Sequence, residues 1–354
     1  MNVEFAILGS TPMAAVLAGA LSKLHGRSVC WAGRFAHPLR PQRGFDMSVS
    51  PLTRPETWQL LRECTPEFTD LVAGMEVTER VDPLFVARQD HGTEVISHMQ
   101  HVAAGFGYSI ERQAISDDYS LAVQFRDAVR LLRRPFAKSA QNWLTECGVH
   151  VVPTNDVSVL QKKSGVLHLE GNGETIVAQH VVLADDDAIF LHAKPQQVAS
   201  YFSTVPTVGY LIEPVGEMKG SVVHDVDSGL TIYQRKNGAL DCVASDLSQD
   251  IEAIICDHVG RDNSVRLAGK TNFGTLCSKD GAAFVGELRP AKPILLGGFG
   301  ATGLFQTPAI ARLLTENATN FEKSYFDARR PAKSPGDRAD IAEFLPFSLP
   351  GNLV

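Results

Sequence analysis

The sequence predicts an α/β protein in which a parallel, helix-covered sheet is joined to a separate domain built on an antiparallel sheet. Three observations predict it. A strand, a glycine turn, a helix and a second strand follow one another at the start of the chain. A second glycine turn opens a helix near residue 300, and residues 200–285 alternate in short strands punctuated by Gly and Asp.

Residues 3–8 form an apolar run, with Glu4 inside it, that stops at Gly9. Residues 13–24 carry small residues and leucines at helical spacing up to His25-Gly26, and 28–32 read as the next strand. That order within about 30 residues is a βαβ unit of Rossmann type, with parallel strands and a right-handed crossover. Residues 55–74 predict a helix with Trp58, Leu60, Leu61 and Phe68 as its apolar positions. Residues 128–147 read as helical despite Pro135, ending at Gly148 before a strand at 149–152. Further strands are expected at 157–160, 166–169, 175–178 and 181–184, and antiparallel strands at 208–212, 230–233 and 240–244. The strand 294–296 runs into Gly297-Gly298-Phe299-Gly300-Ala301-Thr302-Gly303 and a helix from about Thr307 to Asn317. A second glycine turn at a helix N-terminus, so far from the first, suggests that both converge on one ligand.

Composition narrows the function classes. At 354 residues, 44% hydrophobic and 21% charged, the chain can bury a large core and hold two domains. A net charge of −7 leaves no basic surplus for a phosphate backbone, so no nucleic-acid partner is expected. The six cysteines, Cys30, Cys64, Cys147, Cys242, Cys256 and Cys277, contain no CxxC pair and read as core thiols of a reducing compartment. No stretch of about 18 apolar residues suggests a membrane span, and no secretion signal is visible in MNVEFAILGS. The localisation expected is cytoplasmic.

In a dinucleotide fingerprint the first Gly makes the tight turn, the second lets the backbone approach a pyrophosphate, and the third lets helix pack on strand. Here the six positions are Gly9, Ser10, Thr11, Pro12, Met13 and Ala14. Gly9 is present and Ala14 is small, but Thr11 stands in the second glycine's place. An acid that would bind ribose hydroxyls is expected about 20 residues on. That position holds Gly33, flanked by Ala32 and Arg34. Losing such a charged hydrogen bond weakens binding by roughly 1.5–3 kcal/mol, and Arg34 offers the ribose another partner.

Taken together the chain resembles the D-amino-acid oxidase, glycine oxidase and sarcosine oxidase superfamily of FAD proteins. The strongest match is Leu295-Leu296-Gly297-Gly298-Phe299-Gly300-Ala301-Thr302-Gly303-Leu304 with Thr307-Pro308-Ala309, similar to that family's C-terminal flavin motif. Residues 148–159 and 166–184 resemble its adenine-side hairpin, with Ala184-Asp185-Asp186 at the Ala-Thr-Gly-like strand end. Ser278-Lys279-Asp280-Gly281 resembles its Thr-x-Asp-Gly segment. The resemblance implies a Rossmann-type FAD-binding domain from residues 1–80, 125–200 and 280–330, an antiparallel-sheet substrate domain from 81–124 and 201–279, and a tail at 331–354.

It also implies non-covalent FAD held by Gly9, Ser10, Thr11, Pro12, Met13 and Ala14, by Gly33 and Arg34, by Val157 and Ala184, and by Gly298, Gly300, Ala301, Thr302, Gly303 and Leu304. Arg43, Asp46, Met47 and Ser48 fall in the loop that runs beside the flavin ring. The positive end of the last helix, near Gly300 to Gly303, would stabilise negative charge on the reduced ring. The family's carboxylate-binding Arg and Tyr align with Thr275 and Thr231, so the substrate clamp is missing, with Lys270 or Arg235 as substitutes. His224-Asp225 could be an acid/base pair or turn chemistry, and Cys277 does not align with the family's flavin-attachment cysteine. The reading that follows is an FAD-dependent oxidoreductase oxidising a C–N bond of an amine or amino-acid-like small molecule. Alternatives are a weakly flavin-binding or non-catalytic subunit of a hetero-oligomer, a flavoprotein modifying another protein, and, last, an NAD(P) dehydrogenase. Homo-oligomerisation is equally compatible with the sequence.

Overall fold

From Phe5 onward the strand Asn2–Leu8 is buried on both faces, the pattern of a central parallel strand covered on each side. The computed structural model describes residues 1–35, 41–114, 119–152, 158–161, 167–171, 174–245, 250–259, 265–287, 293–330 and 341–344. It places Asn2–Leu8 between Val29–Ala32 and Glu174–Leu183, both parallel to it. The sheet runs in the order Phe284–Glu287, Ile294–Gly297, Glu174–Leu183, Asn2–Leu8, Val29–Ala32, His150–Val152. Phe284–Glu287 is antiparallel to its neighbour, and Ser158–Gln161 with Leu167–Gly171 makes an antiparallel extension of Glu174–Leu183. On one face Phe5, Ile7 and Trp31 share a core with Ala15 and Leu17 of helix Pro12–Lys23, Phe136 of Arg133–Glu146 and Ile310 of Thr307–Leu314. On the other, Ala6, Leu8 and Ala32 pack with Ile189, Phe202 and Phe284.

The second sheet runs Leu267–Ser278, Phe202–Ile212, Leu240–Ala244, Leu230–Gln234, Val222–Asp225, Leu84–Ala87, Leu121–Phe125, Ile110–Arg112. Its pairings are antiparallel except where Val222–Asp225 meets Leu84–Ala87 in parallel. Among the described residues no helix is long and apolar enough to cross a membrane.

Several local expectations need correction. The helix expected over 128–147 starts five residues late: Ala128–Leu131 is a strand paired with Thr78–Val81, and the helix is Arg133–Glu146. A short apolar run cannot be told from a helix segment by periodicity alone. Pro135 then falls in the first helical turn, where its missing N–H has no intrahelical partner to lose. The strands expected at 175–178 and 181–184 are one strand, Glu174–Leu183, because the exposed Gln179 and His180 sit inside it. The strands expected at 157–160 and 166–169 are Ser158–Gln161 and Leu167–Gly171. Finally, the helix after the second glycine turn is preceded by a 3-10 segment, Gly300–Gln306, and is α-helical over Thr307–Leu314.

Candidate functional site

The first turn is tight because nothing larger than glycine fits. A Cβ on Gly9 would lie 2.7 Å from both the Ala14 Cβ and Asp185 Oδ2. Thr11 is the N-cap of Pro12–Lys23, yet its side chain does not cap the helix, and its buried Oγ1 has no hydrogen-bond partner. Pro12 occupies the first helical position, removing an N–H that the helix leaves unpaired. Met13 and Ala14 turn inward and are buried.

The amides of this turn are already engaged. Ser10 and Thr11 N–H both donate to Asp185 Oδ2, at 2.5 and 3.0 Å. Asp185 Oδ1 accepts from Ala188 N–H at 2.8 Å and so caps the helix Asp186–His192. Burial pushes the Asp185 carboxyl pKa up, and Asp187 adds to it, against the three amide donors that favour the anion. Asp186 follows, its Oδ2 accepting from Leu276 N–H at 2.9 Å. Burial lifts its pKa to about 7, helped by Asp185 and Asp187 and opposed by the Leu276 amide and Arg43. Asp187 pairs with Arg43, whose guanidinium also lies 4.7 Å over the Phe273 ring. Ala184, fully buried, donates its N–H to Leu8 C=O at 2.8 Å.

At the end of Val29–Ala32, Gly33 has no space for a side chain. A Cβ there would lie 1.9 Å from Gly9 O and 2.4 Å from the Trp31 ring. The Trp31 indole N–H donates to that same Gly9 carbonyl at 3.1 Å. The position is therefore not a ribose site that has merely lost its acid. Arg34 is exposed and donates its backbone N–H to Ser10 Oγ at 3.3 Å.

The second turn is built differently. Gly298 and Gly300 have φ of 69° and 55°, a region costly for residues with a Cβ. A Cβ on Gly303 would lie 2.4 Å from Phe299 Cβ and 3.0 Å from Met13 Sδ, so the two glycine turns adjoin. Thr302, Gly303 and Leu304 are buried, and Thr302 Oγ1 accepts from Gln306 Nε2 at 3.2 Å. The Ala301 carbonyl accepts from Met47 N–H at 3.1 Å, seating the loop 45–48 against the turn. Within that loop Asp46 takes a two-pronged contact from Arg133, Nε at 2.6 Å and a terminal nitrogen at 3.1 Å. Ser48 Oγ accepts from Val129 N–H at 2.9 Å. Arg133 and Val129, not open space, hold the Asp46 and Ser48 side chains. Val157 lies outside the described residues.

The residues expected on the substrate side are also committed. Thr231 Oγ1 is 2.6 Å from His224 Nδ1, and Thr207 Oγ1 donates to Thr275 Oγ1 at 3.0 Å. His224 and Asp225 do not form a pair with each other. Asp225 instead binds His258 Nε2 at 3.1 Å and Arg88 at 3.4 Å, while burial pushes the His224 pKa down to about 4. Arg235 pairs through two nitrogens with the buried Asp241, and the exposed Lys270 sits 3.9 Å from Glu252. Burial pushes the Cys277 thiol up to about 12, which removes its nucleophilic form at neutral pH. Sequence reasoning missed Asp185 as an occupant of the first turn. It also missed Arg130, buried against Tyr233 at 3.3 Å and paired with Glu79 at 2.8 Å.

No family model matches the chain, and no curated protein does. Its fold recurs among solved structures. L-proline dehydrogenase from P. horikoshii superposes with a TM-score of 0.72 at 12% identity, covering 92% of this chain and 96% of that one. Glycine oxidase from Geobacillus kaustophilus gives 0.68 at 13%, covering 92% and 98%. L-amino acid deaminase from Proteus vulgaris gives 0.68 at 15%, covering 89% of each. The chain has the fold of these proteins.

The residues fit a bound dinucleotide in part. The second turn keeps its glycines, and Gly300 has open space around it. The first turn does not fit as it stands, because the amides that would face a pyrophosphate are held by Asp185. Two cavities among the described residues have no residue of either glycine turn in their lining. One, about 470 Å³, is lined by Phe190, Pro195, Val198 and Phe202, and the other, about 230 Å³, by Tyr210, Glu252 and Lys270.

Proposed function

We propose that this protein is an FAD-dependent oxidoreductase acting on a C–N bond of an amine or amino-acid-like substrate. The observation that carries the reading is the meeting of two glycine turns, Gly9 and Gly297 to Gly303, at Met13 and Gly303. Support comes from the same fold in proteins named as a proline dehydrogenase, a glycine oxidase and an amino acid deaminase. A flavin supplies the two-electron sink that such an oxidation needs.

The chain's own residues limit the substrate. Arg235 is tied to Asp241, Lys270 lies beside Glu252, and Thr231 and Thr275 offer only hydroxyls. A buried carboxylate would lose its bidentate partner and still be desolvated. Free α-amino acids are therefore expected to be poor substrates, and amines, peptide-linked residues or compounds with a solvent-facing carboxylate better ones. The test is reconstitution with FAD and gel filtration, followed by anaerobic bleaching with a panel of amines, sarcosine, glycine and free D- and L-amino acids. Bleaching by an amine supports the reading. Rapid bleaching by free amino acids shows that another cation binds the carboxylate, and absence of retained flavin argues for the second reading.

That second reading, a weakly flavin-binding or non-catalytic subunit of a larger assembly, is favoured by one observation: Asp185 holds the first turn's amides. Absorbance of the purified protein near 450 nm, where oxidised flavin absorbs, and the mass of the native assembly separate the two.

A further inference from the structure

At the strand end Ala184-Asp185-Asp186, in the sheet centre where a pyrophosphate would lie, the chain carries three consecutive acids. The first is buried, and its Oδ2 takes the only backbone hydrogens that Ser10 and Thr11 have. Each N–H has one hydrogen to give, so a phosphate oxygen and the carboxylate exclude each other there. A dianionic pyrophosphate beside an ionised Asp185 would also meet like charge in a poorly solvated place. Gly33 contributes nothing to the choice, since its position admits no side chain.

We propose that Asp185 governs cofactor loading in this chain: its carboxylate stands in for a pyrophosphate on the Ser10 and Thr11 amides, and a dinucleotide enters only when that side chain turns away. The inference rests on the flavin reading above for the identity of the dinucleotide, but the exclusion itself applies to any pyrophosphate. Only the fraction of molecules with Asp185 displaced is competent to bind, which raises the apparent dissociation constant by the inverse of that fraction. Displacement also withdraws Oδ1 from the Ala188 amide. Loading and the cap of helix Asp186–His192 are therefore coupled, and that helix carries the exposed Phe190 and Leu191.

The test uses the full chain and two probes, ADP, which has a pyrophosphate and no flavin ring, and FAD, titrated by calorimetry into wild type, Asp185→Asn and Asp185→Thr. Asparagine keeps an oxygen for the Ala188 cap but offers the Ser10 and Thr11 amides a donor in place of an acceptor. Threonine is a good N-cap residue that cannot reach both partners. Both variants are expected to bind ADP and FAD at least tenfold more tightly than wild type. Equal FAD affinity in all three proteins overturns the proposal and leaves the flavin reading standing. Tighter ADP binding in the variants with no FAD binding in any of them upholds the exclusion and removes the flavin reading. Failure of folded variants to bind either probe overturns both. Should neither variant fold, hydrogen exchange on wild type decides: saturating ADP should expose the Ala188 amide, and unchanged protection overturns the proposal.

Discussion

At the first glycine turn, Gly9 and Gly33 are required because other atoms of the chain are already within 2–3 Å of where a Cβ would go. At the second, Gly300 would meet nothing within 4 Å, yet its φ of 55° makes glycine the natural residue. Gly9 and Gly33 are glycine by crowding, as Gly303 is in the second turn, whereas Gly300 is glycine by backbone conformation. The difference teaches that a glycine pattern alone does not report an open ligand cradle: the first turn is filled by Trp31 and Asp185, and the second keeps space only beside Gly300.

Substitutions break the comparison at its two ends. Gly33→Ala should be the most damaging, at about 3 kcal/mol of stability, because the contact at 1.9 Å is with the backbone oxygen of Gly9, which cannot rotate away. The urea midpoint measures it, and an unchanged midpoint would mean that the first turn is far looser than described. Glutamate at this position, the residue that a ribose contact asks for, should be no better tolerated.

Arg133→Ala tests what holds the loop 45–48 on the second turn. It leaves Asp46, 6% exposed, without either of its guanidinium contacts, and should cost about 2 kcal/mol. A readout confined to the loop is proteolysis near Arg43, which should quicken by more than that loss of global stability explains.

The acid cluster of the first turn predicts a pH dependence. The folded Asp186 pKa, about 7, lies above the ordinary aspartate value of 3.8, so between those limits the folded state binds more protons than the unfolded. Stability from this group is full below about pH 4 and is lost as pH rises towards 7, with a slope of at most about 1.4 kcal/mol per pH unit. Asp186→Asn, which keeps an oxygen for the Leu276 amide, should flatten the melting temperature across that window. An identical slope in the variant would assign it to other groups.

Gly300→Ala should show the smallest effect, about 1 kcal/mol, the price of a left-handed backbone without a clash. A loss as large as that of Gly33→Ala, by the same urea titration, would abolish the distinction between the turns.

The parallel sheet was legible because its signals are local: an apolar run ending at Gly9, then a helix that is buried from Pro12 to Leu21. The second turn was legible for the same reason, its glycines lying together between a strand and a helix. The strand Ala128–Leu131 was not, since four apolar-rich residues ahead of a helix have no period of their own, and only pairing with Thr78–Val81 makes them a strand. The contents of the first turn were hidden for a different reason. Asp185 is remote in sequence from Ser10 and Thr11, and the signal available was an acid at a strand end where the family resemblance asks for Thr. Thr231 and Thr275 marked a missing clamp, but the partners that occupy them, His224 and Thr207, come from neighbouring strands that only the pairing of the second sheet brings beside them.

The bond from the Trp31 indole to the Gly9 carbonyl gives the first turn an optical label of its own. Of the three tryptophans, Trp58 is sealed under Phe125 and Tyr108, and Trp143 covers the outer side of the first helix at Gly19. Trp31 alone has its ring nitrogen on the turn, with Phe35 stacked at 5.2 Å. Indole emission shifts with the polarity and hydrogen bonding of that nitrogen, so the Trp31 share of the intrinsic fluorescence, isolated by replacing Trp58 and Trp143 with Phe, records the state of the Gly9 carbonyl with no dye attached.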